Sequence, residues 1–173
     1  MLTRRTGEVL AQLGLDGAVE HRGLAAVGAA RRDLGREDVG HVDGAVVTHA
    51  SLWDLDQFGP TTDAAYYWSR EMTAEMTRAN SPSRFADDIR SPMLVIHGDR
   101  DYRVPIGEGL RLWWDLCSRA EDPETMPHRF LYFPSENHWV LSPGHARVWY
   151  ETVLAFLAVH VLDQPWRTPE LLQ

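Results

Sequence analysis

The chain has 173 residues, 44% of them hydrophobic, and a formal net charge of −8 at pH 7 from 17 basic against 25 acidic residues. Every basic residue is an arginine and none are clustered, so the basic stripe that nucleic-acid binding needs is missing. The lone Cys117 excludes an intramolecular disulfide framework and suits a reducing compartment.

Residues 1–43 differ in kind from the rest of the chain. Every Phe, Trp and Tyr lies at or after Trp53, and every proline at or after Pro60. The segment is rich in Ala, Gly, Arg, Val and Asp, as in Gly28-Ala29-Ala30-Arg31-Arg32-Asp33-Leu34-Gly35. Two readings stand side by side. One is a frame-shifted or remnant stretch; the other is a pair of small helices, with Val9, Leu10 and Leu13 as one partial stripe and Leu24, Val27 and Leu34 as another. Arg4 and Arg5 precede no continuous apolar run, so no secretory signal is expected and the cytoplasm is the default location.

From residue 44 the pattern alternates strand and helix. Val46 and Val47 mark a strand, and Ala64 to Ala79 reads as a helix stopped by Asn80-Ser81-Pro82. Met93 to Ile96 is a buried strand ended by His97-Gly98. Gly107 to Ala120 is the next helix, with Leu110, Trp113, Trp114 and Cys117 as its apolar stripe. Arg129 to Phe133 is a short strand stopped by Pro134, and Pro143 to about Leu162 is the last helix, bringing Val148, Thr152, Ala155 and Phe156 to the sheet. Its apolar run from Val153 to Leu162 is far shorter than the ~20 residues a bilayer needs, so no membrane contact is expected. The order implies a parallel sheet covered on its faces, with residues 44–165 as one unit and 166–173 as a tail.

The chemistry is concentrated after two strand ends. Asp101 follows the strand ending at Gly98, and His138 follows the strand ending at Phe133, so both project from one sheet edge. A carboxylate that fixes an imidazole's tautomer, and an imidazole that takes a proton from a hydroxyl, are two of the three parts acyl transfer needs. His97, His145 and His160 read as structural, and Asp87-Asp88 as a solvated approach to a strand. No His or Cys pair has zinc spacing, and no glycine-rich phosphate loop follows a strand, so no metal or cofactor is expected.

Three segments carry a resemblance: Val46-Val47-Thr48-His49-Ala50-Ser51-Leu52-Trp53; Ser91 to Gly98 with Asp101, Tyr102, Arg103, Val104 and Pro105; and Tyr132 to Val140. From about Ala45 to Leu162 the chain resembles the C-terminal half of the prolyl oligopeptidase family's catalytic domain, particularly its dipeptidyl-peptidase and acylaminoacyl-peptidase-like branch. The resemblance implies a partial α/β-hydrolase fold with three C-terminal parallel strands, and a serine-type peptidase acting through an acyl-enzyme. It places the acid at Asp101, three residues after Gly98, and the base at His138; Asp99 fits a turn role. It also implies a nucleophile on a G-x-S-x-G turn before the Val46 strand, where the chain has no serine at all. Ser51 does not fit, because His49 and Trp53 stand where a tight elbow needs small residues.

Trp53, Arg103 and Trp139 are candidates to line a substrate pocket, though each also reads as packing or loop bracing. The strand edge beside Val46 should lie open, to be covered by a homodimer, a partner fragment or the N-terminal residues. The expected function is therefore hydrolysis of peptides once a serine is supplied, with an inactive binding or scaffolding remnant as the alternative and an esterase as the weaker one.

Overall fold

The computed structural model describes residues 28–31 and 44–173. Four strands form one sheet in the order β1 (Gly28–Arg31), β2 (Gly44–His49), β3 (Met93–Gly98) and β4 (Arg129–Phe133). β2, β3 and β4 are parallel, whereas β1 runs antiparallel to β2 with Gly28 opposite Val47 and Arg31 opposite Gly44. Three short helices, α1 (Leu55–Thr61), α2 (Ala65–Glu71) and α3 (Ala74–Asn80), and a 3-10 turn (Pro82–Asp88) link β2 to β3. Helix α4 (Ile106–Arg119) links β3 to β4, and α5 (Pro143–Leu162) follows β4.

The strand β3 shows why its apolar run is continuous rather than alternating. Leu94 and Ile96 pack with Ala45, Phe133, Val148, Phe156, Leu157 and Val161 on the α5 face. Val95, pointing the other way, packs with Trp53, Ala86, Leu112 and Leu116 on the α4 face. A central parallel strand buries both faces, so each position along it is apolar. On α5, the four residues expected to face the sheet, Val148, Thr152, Ala155 and Phe156, are all buried. Beyond α5, Trp166 joins this packing and lies under the Arg129 guanidinium, 4.2 Å from ring centre to the charge.

Three sequence expectations are corrected. The single helix over 64–79 is two, because Met72 and Thr73 are extended and the Thr73 hydroxyl accepts the Met76 N–H, starting α3 afresh. The buried stripe of α4 is Glu108, Gly109, Leu112 and Leu116, while Leu110 and Trp114 are exposed. The helix turns this way because Glu108 faces inward: its carboxylate accepts the Trp53 and Asp54 N–H groups, both at 2.7 Å, and the Gln57 amide at 2.8 Å. A helix through Leu24, Val27 and Leu34 is interrupted by strand β1; the stripe at Val9, Leu10 and Leu13 lies outside the described residues.

β1 also bears on the open edge. Of the three covers anticipated, it is N-terminal residues that pair with Gly44–Val47, and β1 is in turn an edge strand among the described residues.

Candidate active site

The C-terminal ends of β3 and β4 turn into two loops that are pinned to each other. The Asp99 N–H donates to the Phe133 carbonyl and the Arg100 N–H to the Glu136 carbonyl. The Asp99 carboxylate accepts the Ser135 N–H at 2.7 Å and the Tyr132 hydroxyl at 3.1 Å. The backbones approach so closely that a Cβ on Gly98 would stand 2.6 Å from both the Glu136 and Asn137 carbonyl oxygens. Glycine is required there by contact alone.

This arrangement brings Asp101 and His138 together. The buried Asp101 accepts the Arg103 and Val104 N–H groups on Oδ1, each at 2.9 Å, which closes the turn and orients the carboxylate. Its Oδ2 lies 2.8 Å from Nδ1 of His138, whose side chain is one-third exposed. With Nδ1–H donated to the carboxylate, Nε2 is left to accept a proton.

Glu136 braces the loop on which His138 stands. Its carboxylate accepts the Leu141 N–H at 3.0 Å, the Ser142 N–H at 3.2 Å and His145 Nδ1 at 2.7 Å. Burial pushes this carboxyl up, but the hydrogen bonds from Ser142, Leu141 and His145 together outweigh it and bring it down to about 2. The same contacts hold the two residues that lead into α5, where Ser142 makes no side-chain cap.

Two more histidines border the pair. His97 is fully buried, with Nε2 at 2.8 Å from the Val104 carbonyl and 3.6 Å from Asp101 Oδ2. His49, at the end of β2, accepts the Trp149 indole N–H at 3.3 Å. Burial, then the nearness of His97 and His138, lowers His49 to about 4 against the opposing pull of Asp101, so it is neutral at pH 7.

The remaining candidates fall elsewhere. The Ser51 hydroxyl is bonded to the Thr48 hydroxyl. Trp53 is buried in the α4-face cluster and gives its indole N–H to Asp115 at 2.6 Å. Arg103 pairs with Asp63 at 2.8 Å and braces the acid loop from outside. Trp139, the next residue after His138, is 69% exposed. Sequence reasoning missed Glu136 and His49. A carboxylate two residues before the imidazole was the signal for the first; the second had none, since it looked like any strand end.

Three parallel strands with an antiparallel fourth, and helices on both faces, make a partial α/β-hydrolase fold, with Asp101 beside His138 at the C-terminal edge of the parallel strands. The chain belongs to the prolyl oligopeptidase family, whose model matches residues 40–164. Dipeptidyl-peptidase 5 of Aspergillus fumigatus is 36% identical over 114 residues, covering 65% of this chain and 14% of that protein. Dipeptidyl-peptidase 5 of Porphyromonas endodontalis is 31% identical over 121 residues, covering 64% of this chain and 17% of the relative. The chain thus spans under a fifth of the curated relatives it matches. Among solved structures, the fold is shared with a puromycin-hydrolyzing peptidase of Mycobacterium tuberculosis, with a TM-score of 0.62 at 24% identity over 72% of this chain and 19% of that one. It is shared equally with the acylaminoacyl peptidase of Pyrococcus horikoshii, with a TM-score of 0.62 at 18% identity over 70% and 20%. No helix among the described residues is long and apolar enough to cross a membrane.

Proposed function

We propose that residues 44–165 are the acid- and base-bearing part of a cytoplasmic serine peptidase that cleaves short peptides through an acyl-enzyme. Residues 1–43 are then an atypical preceding segment and 166–173 a tail. The observation that carries this is the 2.8 Å contact between Asp101 and Nδ1 of His138 at the sheet's C-terminal edge. Asp101 holds the neutral imidazole in the Nδ1–H tautomer and stabilises the imidazolium; His138 takes the proton of a serine hydroxyl and later gives it to the leaving amine. The serine and most of the oxyanion hole come from a segment other than the described residues. The dipeptidyl-peptidase 5 relatives make a short peptide the first substrate to try, and an ester would use the same machinery.

A second reading is a catalytically inactive module that binds or scaffolds. It is favoured by the sequence, which contains no G-x-S-x-G, and by the Ser51 hydroxyl being engaged with Thr48.

The test is labelling with a fluorophosphonate probe, with and without a co-expressed fragment carrying a relative's nucleophile turn. The chain alone is expected to stay unlabelled, and the co-expressed fragment to be labelled at its serine only when His138 is intact. Stoichiometric labelling of the chain alone would place the nucleophile within it. Absence of labelling in a stable, folded complex would favour the binding module.

A further inference from the structure

We propose that His97 is a positioning residue for the acid: its imidazole Nε2–H grips the Val104 carbonyl and so fixes the Asp101–Val104 turn that aims the carboxylate at His138. The inference rests on the reading of Asp101 and His138 as acid and base.

The hydrogen bonds around Val104 define the role. Its N–H is held by Asp101 Oδ1 at 2.9 Å, and its carbonyl oxygen by His97 Nε2 at 2.8 Å. A carbonyl only accepts, so Nε2 carries the proton and the tautomer of His97 is fixed. Val104 is therefore gripped at both polar ends of its peptide groups, once by the acid itself and once by the imidazole beneath it. Without His97 the carbonyl would be left in a buried site with no donor, and the turn would have reason to swing outward.

The other ring nitrogen explains why His97 does not compete with His138. Nδ1 is buried and has no hydrogen-bond partner among the described residues. Gly109 of α4 presses on it so closely that a Cβ there would stand 2.5 Å away. A second proton on the ring would be an N–H sealed against a helix backbone with nothing to receive it. Burial accordingly holds His97 below its ordinary value. A charged ring at 3.6 Å from Asp101 Oδ2 would draw the carboxylate away from His138; a neutral one leaves it free. The same contact accounts for a glycine inside α4, where helix propensity disfavours it.

The test reads the tautomer of His138 directly, by two-bond proton–nitrogen correlation of the imidazoles in the full chain at a pH above the ordinary histidine range. His138 is expected to be predominantly the Nδ1–H tautomer in the parent chain. In His97→Ala this preference should be lost, giving the mixture of a free imidazole, whereas in Asp101→Asn, whose Oδ1 stays on the Arg103 and Val104 N–H groups and whose amide nitrogen then donates to Nδ1, the Nε2–H tautomer should dominate. His97→Gln, whose amide nitrogen reaches the place of Nε2, should restore the Nδ1–H preference. Val95→Ala, buried on the same strand, should lower the melting temperature yet leave the tautomer unchanged. If His97→Ala does not fold, His97→Asn, too short to reach Val104, carries the same comparison. Retention of the Nδ1–H tautomer in either folded variant overturns the positioning role. Retention in Asp101→Asn overturns instead the acid–base reading beneath it.

Discussion

Replacing Glu136 by Gln removes a charge while keeping the shape, and the structure fixes what that should cost. The side chain is 6% exposed and receives two backbone N–H groups and one imidazole. Its carboxyl is lowered from 4.5 to about 2, a difference worth about 3 kcal/mol at full strength. Solvent screening of the partner His145, which is 37% exposed, reduces this to about 2 kcal/mol. Because the folded value lies below the unfolded one, the stabilisation is complete above about pH 5 and is lost as pH falls through about 2. Urea unfolding of the parent and Glu136→Gln chains from pH 7 down to pH 2 reads this directly. The stability gap should be about 2 kcal/mol at pH 7, begin to close below pH 5, and nearly vanish at the acid end. A gap that is constant with pH, or under about 0.5 kcal/mol at pH 7, would refute the claim that the charge braces the base-bearing loop.

Three further substitutions bear on the same architecture. Gly98→Ala puts a Cβ 2.6 Å from two carbonyl oxygens of the His138 loop, and the overpacking should cost about 1–3 kcal/mol in chemical denaturation. Glu108→Ala strips the acceptor from the Trp53 and Asp54 N–H groups. Two buried donors left unpaired should lower unfolding free energy by about 2–4 kcal/mol, with Glu108→Gln losing less. Phe156→Ala, at a fully buried site between α5 and the sheet, should cost about 3–5 kcal/mol by the same assay.

The strands were readable because a parallel strand buried on both faces must be apolar throughout, and Met93 to Ile96 can be little else. Asp101 and His138 stood out as candidates because each follows a strand at a break, Gly98 for one and Pro134 for the other, although β4 itself is only partly buried. What could not be read were features set by long-range contact. Glu108 looks like a solvated helix position until Trp53 and Asp54, more than fifty residues earlier, present it with bare N–H groups. Its burial rotates α4 away from the stripe that hydrophobicity suggests. Thr73 splits a helix through one local hydroxyl contact that competes with propensity. The role of Gly98 comes from the approach of a loop nearly forty residues later, which no local pattern encodes.

The central claim is that Asp101 and His138 are a working acid and base awaiting a serine. It is met most directly by a chimera in which residues 44–165 replace the matching segment of the Porphyromonas endodontalis dipeptidyl-peptidase 5. Its hydrolysis of a dipeptidyl arylamide is then measured alongside His138→Ala and Asp101→Asn versions of the same chimera. With Asp101 and His138 as acid and base, the folded chimera turns over substrate and loses at least about a thousandfold in kcat/KM with His138→Ala, while still folding. A folded chimera with no turnover, or one whose rate is unmoved by His138→Ala, would contradict that claim.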